Sequence, residues 1–106
     1  MARLSPLERS ALDRFAAEAR ARLGTRLVCL TLFGSRARGE GRDDSDLDVL
    51  VLVRGMTRAD RRQLVDDAAD VGLTHDLVLS PLVADADAWR DDLPIARSIA
   101  QDGVPL

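Results

Sequence analysis

The sequence predicts a small α/β (α+β) domain, a short mixed sheet packed by helices. Two observations carry this. Arg26–Phe33 and Leu47–Val53 are short apolar runs of strand length. Around them, Pro6–Leu23 and the stretch from Thr57 to Gly72 carry apolar residues at helical spacing. With a third strand and two short helices following, the order reads α-β-β-α-β-α-α, which suits a sheet covered by helices. Residues 1–106 form one domain, without repeat, low-complexity tract or linker.

Each element has a local reason. Ser5-Pro6-Leu7-Glu8 is a capping box with proline at the first helical position. Leu7, Ala11, Leu12, Phe15, Ala16 and Ala19 follow on one face, and Gly24 stops the helix. Arg26 to Phe33 is apolar and bounded by glycine. Ser35 to Gly39 fits one helical turn, and polar Glu40 to Ser45 is loop. Leu47 to Val53 is apolar on both faces except at Asp48, the pattern of a central strand. Thr57 and Asp60 cap a second helix whose stripe runs Leu64, Val65, Ala68, Ala69 and Val71, with Gly72 as its end. Thr74 to Leu79 reads as the third strand, stopped by Ser80-Pro81. Asp85 to Leu93 is expected to be a short helix anchored by Trp89. Pro94 opens the last helix, which ends at Gly103.

Composition narrows the function. Net charge is −3, which disfavours general nucleic-acid binding. All 15 basic side chains are arginine, so no lysine can serve as nucleophile, Schiff base or phosphate ligand. Cys29 lies inside an apolar run and has no partner for an intramolecular disulfide. No stretch has the length of a membrane span and no signal-peptide pattern opens the chain, so a cytoplasmic protein is expected.

The chemistry concentrates between Leu32 and Val53. An apolar run ends at Gly34-Ser35, and Asp46 and Asp48 then stand two apart at the start of the next. Carboxylates at that spacing on a strand share a face. The connection allows the two strands to lie antiparallel, bringing Gly34-Ser35 to Asp46 and Asp48. The crossover helix would set the third strand parallel to the second and bring Asp76 to the same edge. Converging carboxylates repel unless a cation lies between them, and hard oxygen ligands favour Mg²⁺ or Mn²⁺. Gly34 lets backbone approach phosphates. Ser35 adds a hydroxyl, and the turn adds N–H groups. Arg36, Arg38 and Arg42 lie within reach to neutralise phosphate charge.

That combination suits two-metal nucleotidyl transfer. Asp46, Asp48 and Asp76 are the expected catalytic and metal-binding residues, with Asp76 the candidate base or orienting ligand. Gly34, Ser35, Arg36 and Arg38 are the expected nucleotide-binding residues. Aspartates before a strand are often only solvated loop or turn caps. Asp48 argues otherwise, because a carboxylate inside a central apolar strand is costly without a partner. For the arginines a surface role weighs equally, and His75 is expected to be structural. Other motifs fail. Gly34 and Gly39 have Walker A spacing, but Glu40-Gly41 stands where Lys-Ser/Thr is required. A calcium loop begun at Asp44 has Val49 and Gly55 where glycine and glutamate are needed. A phosphoaspartate hydrolase would carry its carboxylate pair after an apolar strand, whereas here the pair precedes one.

At these residues the chain resembles the nucleotidyltransferase superfamily typified by DNA polymerase β: Gly-Ser, a ten-residue gap, Asp-x-Asp, then an aspartate on a later strand. Gly34-Ser35-Arg36-Ala37-Arg38-Gly39 followed by Ser45-Asp46-Leu47-Asp48 is similar to the minimal nucleotidyltransferases, as, more loosely, is the ending Gly103-Val104-Pro105-Leu106. The resemblance implies the polymerase β-like fold, ATP as substrate and Mg²⁺, with two ions when ATP is bound. It places Gly34 and Ser35 at the triphosphate, and Asp46, Asp48 and Asp76 at the metal. In that family some members are antitoxins that transfer AMP to a tyrosine of a HEPN-domain toxin.

A homo- or hetero-oligomer is also expected, because Leu50, Leu52 and Val78 share the carboxylate-bearing face and need cover, and no acceptor-binding helical domain is evident. The rival readings are a non-catalytic antitoxin binding module and a nucleotidyltransferase acting on a small molecule or RNA.

Overall fold

The computed structural model describes residues 3–40 and 46–106. Its elements are α1 (Pro6–Leu23), a 3-10 turn (Gly24–Arg26), β1 (Leu27–Phe33), β2 (Leu47–Val53), α2 (Arg58–His75), β3 (Leu79–Asp85), α3 (Pro94–Asp102) and β4 (Val104–Pro105). The sheet order is β3-β2-β1-β4. β1 runs antiparallel to β2, and β2 parallel to β3, as the short connection and the crossover helix predict.

Both long helices begin with capping boxes, Ser5 with Glu8 and Thr57 with Asp60. Each box satisfies N–H groups that the first turn would otherwise leave unpaired. α1 and α2 cover one face of the sheet. They pack Phe15, Leu12, Leu64 and Ala68 onto Val49, Val51 and Val53 of β2. Those three valines are fully buried, each contributing about 1.5–3 kcal/mol. The outer edge of β3 is blunted. Pro81 offers no N–H there, and Arg61 donates to the Val83 carbonyl at 3.0 Å.

Four sequence expectations change. Gly72 does not end α2. A Cβ on Gly72 would lie 2.6 Å from the Leu77 carbonyl oxygen, so this glycine permits the chain to fold back against the helix. The helix instead continues through His75 and stops at Asp76, which takes the left-handed conformation at φ 56°, ψ 48°. β3 accordingly starts at Leu79 rather than Thr74 and runs through Ser80-Pro81. Asp85–Leu93 is a series of turns, not a helix. The chain end forms an unforeseen strand, β4, against β1.

The other sheet face is covered by α3 and the turn segment before it. Leu50, Leu52 and Ile99 form a second core, joined by Phe33, Leu82 and Trp89. Leu50 and Leu52 therefore find their cover within the chain, and only Val78 of the three expected apolar residues stays exposed, at 55%.

Candidate active site

β1 ends against the start of β2. Phe33 is in register with Asp48, and Asp48 with Ser80 of β3. These three therefore share one sheet face across three strands. Gly34 follows Phe33 at φ 80°. A Cβ built on Gly34 would lie 2.7 Å from Asp48 Oδ2. Only glycine lets the backbone take this conformation and come this close to the carboxylate.

From Gly34 the chain folds into a tight turn. Arg38 N–H donates to the Gly34 carbonyl at 3.3 Å, Gly39 N–H to Arg36 at 3.3 Å, and Glu40 N–H to Ser35 at 2.8 Å. Ser35–Gly39, expected as one helical turn, is a hydrogen-bonded turn without helix. Asp46 is exposed just before β2, and its Oδ2 accepts a hydrogen bond from Ser80 Oγ at 3.2 Å. Burial, then the charge of Asp46, raises the pKa of Asp48 above the usual aspartate value. Two adjacent carboxylates, one half-buried, are a donor set that a hard divalent cation would relieve.

The structure brings Gly34, Ser35, Asp46 and Asp48 together. Asp76 stands apart. It caps α2 and lines a groove with Arg3, Leu4, Ser5, Leu7 and Glu8, at the same end of the molecule but in the layer of helices. Among the described residues no group of three acidic, histidine or cysteine side chains is placed to hold a metal ion. The three-carboxylate convergence expected of Asp46, Asp48 and Asp76 thus becomes a pair with a serine hydroxyl. The reason is local: helix α2 runs past Gly72 and carries Asp76 with it.

Arg36, expected at the phosphates, is instead turned inward. It is buried, with Nη1 2.6 Å from Glu8 Oε2 and Nη2 donating to Glu8 Oε1 at 2.8 Å and to the Arg3 carbonyl at 3.2 Å. Burial pushes the Glu8 carboxyl up, but the Arg36 guanidinium and the Ser5 N–H outweigh it and hold the pKa below the usual range. Arg38 is exposed on the turn, with Nε 3.3 Å from Glu40 Oε2. It lines an open groove of about 620 Å³ with Arg9, Gln101 and Asp102. Arg42 lies outside the described residues. His75 is structural, its Nδ1 2.8 Å from the Val71 carbonyl.

Ser80 and Glu8 are the residues sequence reasoning missed. Ser80 was hidden by reading Ser80-Pro81 as a strand stop. The apolar run Leu82-Val83-Ala84 directly after Pro81 is the signal that keeps Ser80 within a strand, on the carboxylate face.

Comparisons with known proteins identify the family of the domain. The family model for the nucleotidyltransferase domain matches residues 12–93. A Methanocaldococcus jannaschii protein named "Putative protein adenylyltransferase MJ0141" is 37% identical over 62 residues, 58% of this chain and 63% of that protein. The chain thus spans somewhat less than two thirds of that relative. A solved structure described as a "putative minimal nucleotidyltransferase" superposes with TM-score 0.63 and 27% identity, covering 96% of this chain and 97% of the other. A crystal structure of the MntA-HpeT toxin-antitoxin shares the fold, with TM-score 0.59, 19% identity, and 89% and 70% of the two chains covered. A toxin-antitoxin structure with AMP-PNP also shares it, with TM-score 0.58, 18% identity, and 86% and 68% covered. With more than half its length matched by the family model, and with the glycine turn set against the aspartate pair, the chain belongs to the nucleotidyltransferase domain family.

Proposed function

We propose that this chain is a cytoplasmic, Mg²⁺-dependent adenylyltransferase that moves AMP from ATP to a tyrosine hydroxyl of a HEPN-domain toxin, as the antitoxin of the pair. The observation that carries the reading is the approach of Gly34 to Asp48, which sets a bare backbone turn beside a carboxylate pair. Backbone N–H groups of the turn, the Ser35 hydroxyl and the Arg38 guanidinium would hold the triphosphate. Asp46 and Asp48 would hold the metal, with Ser80 fixing the rotamer of Asp46. Bound Mg²⁺ would neutralise the phosphate charge at the reacting phosphorus.

In the transfer, the acceptor oxygen bonds to the α-phosphorus, and the bond from that phosphorus to the α–β bridging oxygen breaks. Pyrophosphate leaves with the electron pair, and the hydroxyl proton goes to solvent. The acceptor and the antitoxin role rest on the resemblance and on the names of similar proteins, one a protein adenylyltransferase and others toxin-antitoxin complexes. Val78, exposed beside Asp46, and Leu7 and Leu73, exposed at the same end, are apolar surface that a protein acceptor could cover.

The test is co-expression with a HEPN-domain neighbour, addition of Mg²⁺ and ATP, and intact mass spectrometry of the neighbour. A gain of whole AMP units, absent with Asp48→Asn, is expected, and an unchanged mass with wild type overturns the reading. The second reading, an antitoxin acting by contact alone, is favoured by one observation: Asp76 is not gathered with the other two carboxylates. It predicts that Asp48→Asn still protects cells from the toxin.

A further inference from the structure

We propose that the buried Glu8–Arg36 ion pair is a positioning device for the phosphate-binding turn, tying its geometry to the start of α1. The inference rests on the nucleotide-binding reading of Gly34 and Ser35. Ser35 sits between two fixed points. On one side Gly34 is held against the Asp48 carboxylate. On the other, Arg36 is 4% exposed and forks onto both oxygens of Glu8. Ala37, 2% exposed, then plugs the turn into the main core.

Glu8 is held in turn. Its Oε1 accepts the Ser5 N–H at 2.8 Å, and its own N–H donates to Ser5 Oγ at 3.1 Å. One carboxylate therefore closes the capping box of α1 and anchors the turn, 28 residues away in sequence. A forked arginine–carboxylate pair fixes direction as well as distance. Buried ion pairs add little net stability relative to apolar packing. Here the pair defines where the Ser35 hydroxyl and the following N–H groups stand. In this role Arg36 and Glu8 act through the turn.

The double variant E8Q/R36Q tests this. It removes both charges together, shortens the side chain at residue 36 by two heavy atoms, and leaves an oxygen for the Ser5 N–H. Mg-ATP binding is read by calorimetry, with KM for ATP and for the acceptor, on protein shown folded by circular dichroism. About a tenfold loss of ATP affinity is expected, with acceptor KM unchanged, because a small misplacement of binding groups has effects of this size or larger. R36K, which keeps the charge and loses the fork, should fall between, and it carries the same comparison if E8Q/R36Q does not fold. A folded variant that binds Mg-ATP as tightly as wild type overturns the positioning role. Wild type that binds no Mg-ATP overturns the nucleotide-binding reading instead.

Discussion

The carboxylate of Asp48 occupies the space that a side chain at residue 34 would need, with Oδ2 2.7 Å from a Cβ built on Gly34. A strand end and a strand start are thereby fused into one site. Gly34→Ala should be doubly strained, by this clash and by its φ of 80°. A loss of about 1–3 kcal/mol is expected from overpacking alone. Thermal unfolding reads the loss. Transfer should fall further than the folded fraction does, because Asp48 must move aside. A G34A protein with wild-type melting temperature would contradict the geometry.

Asp48 is held in place at a cost. Burial and the charge of Asp46 raise its pKa, so its ionised form is disfavoured in the folded state. A carboxyl raised on folding binds more protons folded than unfolded, so stability falls as pH rises through its pKa window. Asp48→Asn should therefore melt higher than wild type at neutral pH in chelator. Added Mg²⁺ should stabilise wild type but not the variant. Transfer should drop about 10²–10³-fold, the size of losing a preorganised electrostatic group. A lower melting temperature for the variant in chelator would rule out this account of Asp48.

Asp76 holds a left-handed cap at φ 56°. Asparagine and glycine tolerate that conformation, and alanine does not. Asp76→Gly and Asp76→Asn should melt near wild type, while Asp76→Ala should lose about 1 kcal/mol. With the metal held by Asp46 and Asp48, Asp76→Asn should retain transfer. Loss of transfer in a fully folded Asp76→Asn protein would return Asp76 to the metal site.

The Glu8–Arg36 pair also predicts an acid limb. The Glu8 carboxyl is lowered on folding, so it contributes stability that is fully present above the usual glutamate pKa. That contribution is lost as pH falls through the lowered value. Asp60, lowered by its hydrogen bond from Arg26, behaves in the same direction. Chemical denaturation from pH 7 down to pH 2 should show a flatter acid limb for E8Q and for D60N than for wild type. R36Q alone leaves Glu8 charged and unpaired in the interior. It should cost about 3–5 kcal/mol, more than E8Q/R36Q.

Much of the fold was legible because its signals are short-ranged. The capping boxes at Ser5 and Thr57 and the two-sided apolar run of Leu47–Val53 were readable in place and formed as expected. The approach of Gly34-Ser35 to Asp46 and Asp48 followed from a connection that allows the two strands to lie antiparallel. What misled was glycine at residue 72. A glycine that ends a helix and one that admits a crossing backbone look alike in sequence, and the difference moved Asp76 and the whole of β3.

By itself the sequence determined α1, β1, β2, the start of α2 and α3, the antiparallel and parallel pairing, and the pairing of a glycine turn with two carboxylates. Periodicity, caps and connection lengths act over a few residues, so those outcomes need no knowledge of distant neighbours. The tertiary structure alone decided that Arg36 turns inward to Glu8, that Ser80 rather than Asp76 stands beside Asp46, and that Ile99 and Trp89 cover Leu50 and Leu52. Each depends on which surfaces meet across the sheet. A buried charge goes to the partner that compensates its desolvation, and only packing brings that partner near.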